Sequence, residues 1–94
     1  MLVNAVVYVF PPDRADEAER LLTELRRLSL AEDGCLGYEV ARANDEPAFA
    51  LFEKWRDQAA LDAHYATEHF VRLGTNGLRT FAEHRRAIKG TLVD

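Results

Sequence analysis

The residues best equipped for chemistry crowd into one stretch. Residues 52–70 read FEKWRDQAALDAHYATEHF and carry the only tryptophan, Trp55, two of the three histidines, His64 and His69, and the carboxylate of Glu53. An imidazole changes charge near neutral pH, so a histidine at the edge of an apolar surface is suited to take a proton from a phenol-like substrate. His64 follows Leu61 by three residues and Ala60 by four, which sets it beside the apolar stripe of a short helix. It is there either a general base or a core-edge histidine bonded to a carboxylate or carbonyl. His69 reads as a helix-start or pocket-rim residue, and Trp55 either as core packing with its N–H on a loop carbonyl or as a pocket wall.

Two polar groups interrupt apolar strand faces: Asn4 beside Val6 and Tyr8, and Glu53 beside Phe49, Leu51 and Trp55. Burying such a group without a partner costs roughly 2–7 kcal/mol, so each must be bonded or face a cavity. Asn4 is thus a backbone-bonded strand-end amide or a ligand contact, and Glu53 an ion-pair partner for a nearby Arg or Lys or a site acid. No metal or other cofactor is expected. Five residues apart on a continuous helix, His64 and His69 would diverge by about 140°. His84 is the only other histidine, and no Cys, Asp or Glu cluster is evident to complete a ligand set.

The elements that must hold these residues follow from periodicity. Residues 2–10, LVNAVVYVF, are β-branched and aromatic and end at Pro11-Pro12, which cannot donate to a ladder. Asp13 is placed to cap the next helix, where Ala18, Leu21, Leu22, Leu25 and Leu28 recur at helical spacing until Asp33-Gly34. Residues 35–43 and 48–55 are extended around Asn44-Asp45-Glu46-Pro47, a hairpin. Asp57 caps a short helix to about Tyr65. Thr67 caps another, carrying Phe70, Val71, Leu78 and Phe81, whose middle Gly74 and Asn76-Gly77 weaken and split. Residues 85–93 read as a last strand. The order is βαββαβ, a ferredoxin-like α+β fold with an antiparallel sheet carrying its helices on one face.

One domain spans the 94 residues, and at this size folding buries only about 60–65% of the unfolded surface. Strand one is apolar on both faces, with Val3, Ala5, Val7 and Val9 opposite Val6, Tyr8 and Phe10, while helices cover only one. The free face calls for a second copy, giving a homodimer packed sheet against sheet. A net charge of −4 turns away nucleic acid and anionic membranes as partners and leaves a small aromatic or hydrophobic molecule. No glycine-rich phosphate loop and no aromatic-basic RNA-binding pattern is present. No apolar run nears the roughly 20 residues of a bilayer span and no basic leader precedes the first strand, so a cytoplasmic location is expected. The lone Cys35 reads as a small buried hydrophobe.

On FEKWRDQAALDAHYATEHF and on EDGCLGYEVAR at 32–42, the latter similar to a Glu-x-Gly-Cys-x-x-Tyr segment, the chain resembles the antibiotic biosynthesis monooxygenase family. The resemblance implies a dimeric α/β barrel with a pocket between sheet and helices. Members include cofactor-free oxygenases of quinols and anthrones, haem-degrading enzymes and an isomerase of a phosphorylated signalling sugar. Trp55 matches a pocket tryptophan of several oxygenase branches, His64 and His69 the histidine pair of the quinol-oxygenase and isomerase branches, and Asn4 a first-strand asparagine of the haem-degrading branch. Gly74 falls where that branch ligates iron, and Leu51 where the anthrone branch has asparagine, so the quinol-oxygenase group is the nearest.

The implied chemistry needs neither metal nor flavin: His64 is the base, Asn4 and the Trp55 N–H stabilise the oxyanion, and Tyr8, Leu51 and Phe70 wall a dry pocket that Glu53 and His69 help to line. The competing readings are isomerisation of a small oxidised sugar and non-catalytic binding of a hydrophobic metabolite.

Overall fold

The computed structural model describes residues 1–93. β1 (Leu2–Val9) passes through a 3-10 turn (Pro12–Arg14) into α1 (Ala15–Leu30), and β2 (Cys35–Arg42) and β3 (Ala48–Trp55) form a hairpin. α2 (Gln58–Tyr65) follows; a π-helix (Phe70–Leu78) then runs into a single α-turn, α3 (Arg79–Phe81), and β4 (His84–Thr91) ends the order. All strand pairs are antiparallel, in the sheet order β2-β3-β1-β4. This is the ferredoxin-like α+β architecture expected from the pattern.

Alternation along the strands decides which groups meet the helices. Asn4, Val6 and Tyr8 of β1 and Phe49, Leu51, Glu53 and Trp55 of β3 are buried, while the intervening Val7, Ala50 and Phe52 are exposed on the other face. α1 buries Ala18, Leu22 and Leu25 against the first set, and the core closes with Leu61, Leu73 and Leu78. Asn4 and Tyr38 lie opposite Glu53, and Lys89 lies opposite Asn4, so one row crosses the helix-side face from β2 to β4.

Three local expectations change. Asp13 does not cap α1: it lies in the 3-10 turn set by Pro12, and Arg14 at the helix start makes two 2.9 Å bonds to Glu17 instead. The last helix is not split by a turn. Gly74, Asn76 and Gly77 widen it into a π-helix, and the Arg79 N–H reaches the Gly74 carbonyl five residues back. The last strand begins at His84 and ends at Thr91, short of residues 92–93.

Candidate functional site

Glu53 gathers the polar groups of the sheet. The Trp55 indole N–H, two residues along the same face, donates to Glu53 Oε1 at 3.0 Å, and the Asn4 amide donates to the same oxygen at 3.4 Å. Glu53 therefore satisfies itself within the sheet rather than by the expected arginine or lysine pair. Its burial raises the carboxyl pKa, against the pull of the Trp55 and Asn4 bonds. Asn4 Oδ1 is buried and has no hydrogen-bond partner.

Above this row, α2 delivers His64. The Asp57 carboxylate caps the helix as expected, accepting the Ala60 N–H at 2.9 Å. Where α2 ends, Thr67 Oγ1 donates to the His64 carbonyl at 2.7 Å and accepts the Phe70 N–H at 3.1 Å, starting the next helix. This break at Ala66-Thr67 removes the divergence a continuous helix would impose. His64 and His69 come together, ring centroids 6.2 Å apart, and both bond the same oxygen: Glu32 Oε2 lies 2.7 Å from His64 Nδ1 and 2.7 Å from His69 Nε2.

Glu32 is the site residue that sequence reasoning missed. Its turn is stitched to the β3–α2 corner: the Arg56 N–H donates to the Gly34 carbonyl at 2.9 Å, Arg56 pairs with Asp33, and Gly34 packs on Ala60 where no Cβ would fit. A signal for it existed. Acidic groups just past a helix C-terminus oppose the helix dipole, so Glu32 and Asp33 directly after α1 needed a reason to be there.

An ionised carboxylate only accepts, so Glu32 holds the proton of His64 on Nδ1. Burial lowers the His64 pKa, with Glu32 opposing, which favours the neutral ring with a free lone pair on Nε2. The ring is walled by Trp55 (4.5 Å between centroids), Phe70 (5.0 Å) and Tyr38 (6.3 Å), with Tyr65 5.0 Å from Phe70. Asn4, Trp55, Glu53 and His64 thus belong to one corner. Leu51 and Tyr8 lie farther along the sheet, Tyr8 stacked on Phe10 at 5.4 Å with its OH accepting from Arg85 at 3.3 Å.

Two site arrangements differ from those expected. The only N–H of the Trp55 ring donates to Glu53 Oε1 rather than facing an open pocket, and the ring itself lies beside His64. The corner is also packed rather than hollow, with Trp55, His64, Asn4 and Glu53 all buried. The largest described hollow, about 640 Å³, lies on the opposite face between Val7, Ala50, Phe52, Arg86 and Ile88. His84 lines that hollow too, so the third partner of the His64–His69 pair is Glu32, not His84. Cys35 is half-buried, and burial raises its thiol pKa, which makes it a poor nucleophile.

The family model for antibiotic biosynthesis monooxygenases matches residues 1–74, through both histidines and the Glu32 turn. The chain belongs to the antibiotic biosynthesis monooxygenase family. It is 34% identical over 74 residues to YcnE of Bacillus subtilis, covering 74% of each chain, and 33% identical over 60 residues to Rv0793 of Mycobacterium tuberculosis. Both relatives are provisionally named monooxygenases. The Rv0793 match spans 64% of this chain and 59% of that protein. Among solved structures, PA3566 from Pseudomonas aeruginosa superimposes with a TM-score of 0.90 at 31% identity, over 99% of this chain and 94% of that one. An antibiotic biosynthesis monooxygenase superimposes with a TM-score of 0.92 at 30% identity over the whole of both chains. Among the described residues, no helix is long and apolar enough to cross a membrane.

Proposed function

We propose that the protein is a cofactor-independent oxygenase that oxidises a small electron-rich aromatic of the quinol type with dioxygen. One observation carries the reading: His64, buried against Trp55 and Phe70, is paired through Nδ1 to Glu32, which leaves Nε2 as a base inside an aromatic corner. Family membership and the monooxygenase names of the relatives support the reaction class.

In this mechanism His64 Nε2 takes a proton from the substrate, and Glu32 is the positioning residue that fixes the tautomer. The electron-rich anion passes an electron to dioxygen, and recombination forms the C–O bond of a peroxide. The His64 imidazolium returns the proton to that peroxide, and loss of water leaves a ring carbonyl, so one ring C–H, one hydroxyl proton and O₂ become a C=O and H₂O, the phenolic oxygen ending as a carbonyl. Asn4 keeps one amide N–H and its free Oδ1 for the substrate oxygens. Lys89, opposite Asn4, lies over the Tyr65 ring, and Arg85 over Tyr8, so positive charge stands at the β4 edge to stabilise the anion. Entry requires Phe70 and Tyr65 to swing from His64. The Phe70 ring lies over Gly74, where no side chain holds it from below.

Oxygen uptake with a dihydroxynaphthalene probe is expected to fall about 10²–10⁴-fold in His64→Gln, with the oligomeric state unchanged. Uptake by the wild-type protein no faster than the probe's own autoxidation, or uptake unchanged by the substitution, refutes the reading. The opposed pKa shifts of His64 and Glu53 on either side of Trp55 favour a second one, an isomerase shuttling protons within a small oxidised sugar. Product formation without oxygen consumption is its signature.

The functional unit in this proposal is a homodimer. The free face of the sheet exposes Val7, Phe52 and Ile88 around the 640 Å³ hollow, an apolar patch of the kind that marks an interface. Glu39 stands on the β2 edge and Arg86 on the β4 edge of that hollow. A two-fold axis near the sheet centre would set the acidic edge of one copy over the basic edge of the other.

A further inference from the structure

We infer that Glu32, His64 and His69 form a binding site for a divalent transition-metal ion, and that an ion held there turns off the base form of His64. Their donor atoms lie within 4.8 Å of one another. The three come from separate elements: Glu32 from the turn after α1, His64 from the last turn of α2, and His69 from just before the π-helix. The Thr67 bonds to the His64 carbonyl and the Phe70 N–H hold the backbone break between the two histidines, and the shared Glu32 oxygen gathers both imidazoles before any ion arrives.

Two imidazoles and one carboxylate are the donor set of three-protein-ligand zinc sites and also accept Co²⁺ and Fe²⁺, whereas Ca²⁺ and Mg²⁺ prefer oxygen alone. With metal–ligand bonds of about 2.0–2.2 Å, tetrahedral donors stand roughly 3.4 Å apart. The two edges to Glu32 are 2.7 Å, so the carboxylate must withdraw by about 0.7 Å, and the imidazole edge, which lies within 4.8 Å, must settle to the same spacing as the ion binds. Glu32 sits on a turn, and a small rotation of its side chain supplies that shift once the ion replaces the shared protons. Its side chain is 14% exposed and that of His69 16%, which gives the ion an entry path and a water for the fourth position, whereas His64 at 1% is the inner anchor.

The consequence follows from imidazole chemistry. A metal takes the lone pair of His64 Nδ1, displaces the proton shared with Glu32, and leaves the neutral ring protonated on Nε2. That nitrogen then donates where it formerly accepted. Ion binding and proton abstraction by His64 exclude each other, a consequence that rests on the oxygenase reading, whereas the site itself does not.

Co²⁺ titrated into the purified, chelator-stripped protein is expected to develop the visible absorption of low-coordinate Co²⁺ at one ion per protomer, and Zn²⁺ to displace it. Loss of an outer-shell partner alone costs about 10–100-fold in metal affinity, so Glu32→Gln and His69→Asn should each weaken binding by at least that much, and His84→Asn should not. Should Glu32→Gln fail to fold, His69→Asn, at the more open rim of the set, carries the same expectation. No visible absorption with no Zn²⁺ retained on dialysis overturns the site, as does binding that survives both substitutions. Nitrogen-15 spectra of His64 should show the proton moving from Nδ1 to Nε2 on saturation with Zn²⁺. A proton that stays on Nδ1 overturns the exclusion. A protein that binds Co²⁺ in this way yet, stripped of metal, consumes no oxygen with the dihydroxynaphthalene probe keeps the site and loses the oxygenase.

Discussion

Replacing Trp55 with phenylalanine tests the sheet half of the site, because it removes the indole N–H that Glu53 Oε1 accepts at 3.0 Å and keeps an aromatic ring in the same slot. A hydrogen bond to a charged group contributes about 1.5–3 kcal/mol and one between neutral groups about 0.5–1.5 kcal/mol. In a Glu53→Gln background the indole still has an acceptor, but a neutral one. The void left by the smaller ring is common to both backgrounds and cancels in a double-mutant cycle. Trp55→Phe should therefore destabilise the wild-type protein by about 1–1.5 kcal/mol more than it destabilises the Glu53→Gln variant, measured by urea unfolding at pH 8 and one fixed protein concentration. At pH 4 the coupling should shrink, because a protonated Glu53 is itself neutral. Additivity within about 0.5 kcal/mol at pH 8 would refute the claim that an ionised Glu53 is held by the indole.

Glu53 also sets a pH dependence whose sign is fixed by its raised pKa. Between the unfolded and folded values the native state holds a proton that the unfolded state has released, so this stabilisation is complete below the unfolded value and is lost as pH rises through the folded one. Glu53→Gln removes that slope, and thermal melts from pH 4 upward should show the variant gaining on the wild type until pH passes the folded value and then holding level. Gly34→Ala places a methyl group on the Ala60 Cβ, an overpacking that should cost about 1–3 kcal/mol in urea unfolding and loosen the Glu32–His64 bond seen in imidazole NMR. Phe52→Arg puts charge on the exposed sheet face and should shift sedimentation from dimer to monomer; an unchanged sedimentation coefficient argues against that face as the interface.

Strand and helix periodicity made the fold legible, since β1 and β3 alternate between covered and open positions and α1 buries one stripe. The caps at Asp57 and Thr67 were legible too, because their side chains act within three residues of their own position. Asp13 misled because the preceding prolines pull the chain into a 3-10 turn before α1 can begin. Glu32 escaped for a different reason: its partners are 32 and 37 residues away, and helical spacing says nothing about pairs closed by tertiary packing. The same limit hid the pairing of Trp55 with Glu53. Both residues were recognised as sharing a strand face, but which of several acceptors the indole finds depends on how the helices close over it.

The arrangement is a poor one for stability alone. A buried ion-pairable group can often be replaced by well-packed apolar side chains at no loss, and an orphan amide oxygen such as Asn4 Oδ1 is a net cost. Here a buried carboxylate, a buried imidazole and that unpartnered oxygen lie in one corner, while the far end of the same core is a purely aromatic cluster of Tyr8, Phe10, Phe49 and Phe81. These polar groups stand beside a helix widened to π geometry, and Ser29 Oγ on α1 is a second buried oxygen without a partner among the described residues. Desolvation in that corner acts oppositely on the two titrating groups, lowering the His64 pKa and raising that of Glu53. In the oxygenase reading we propose, the rings that withhold solvent tune both groups, and the Glu32 turn sets which nitrogen of His64 faces the substrate.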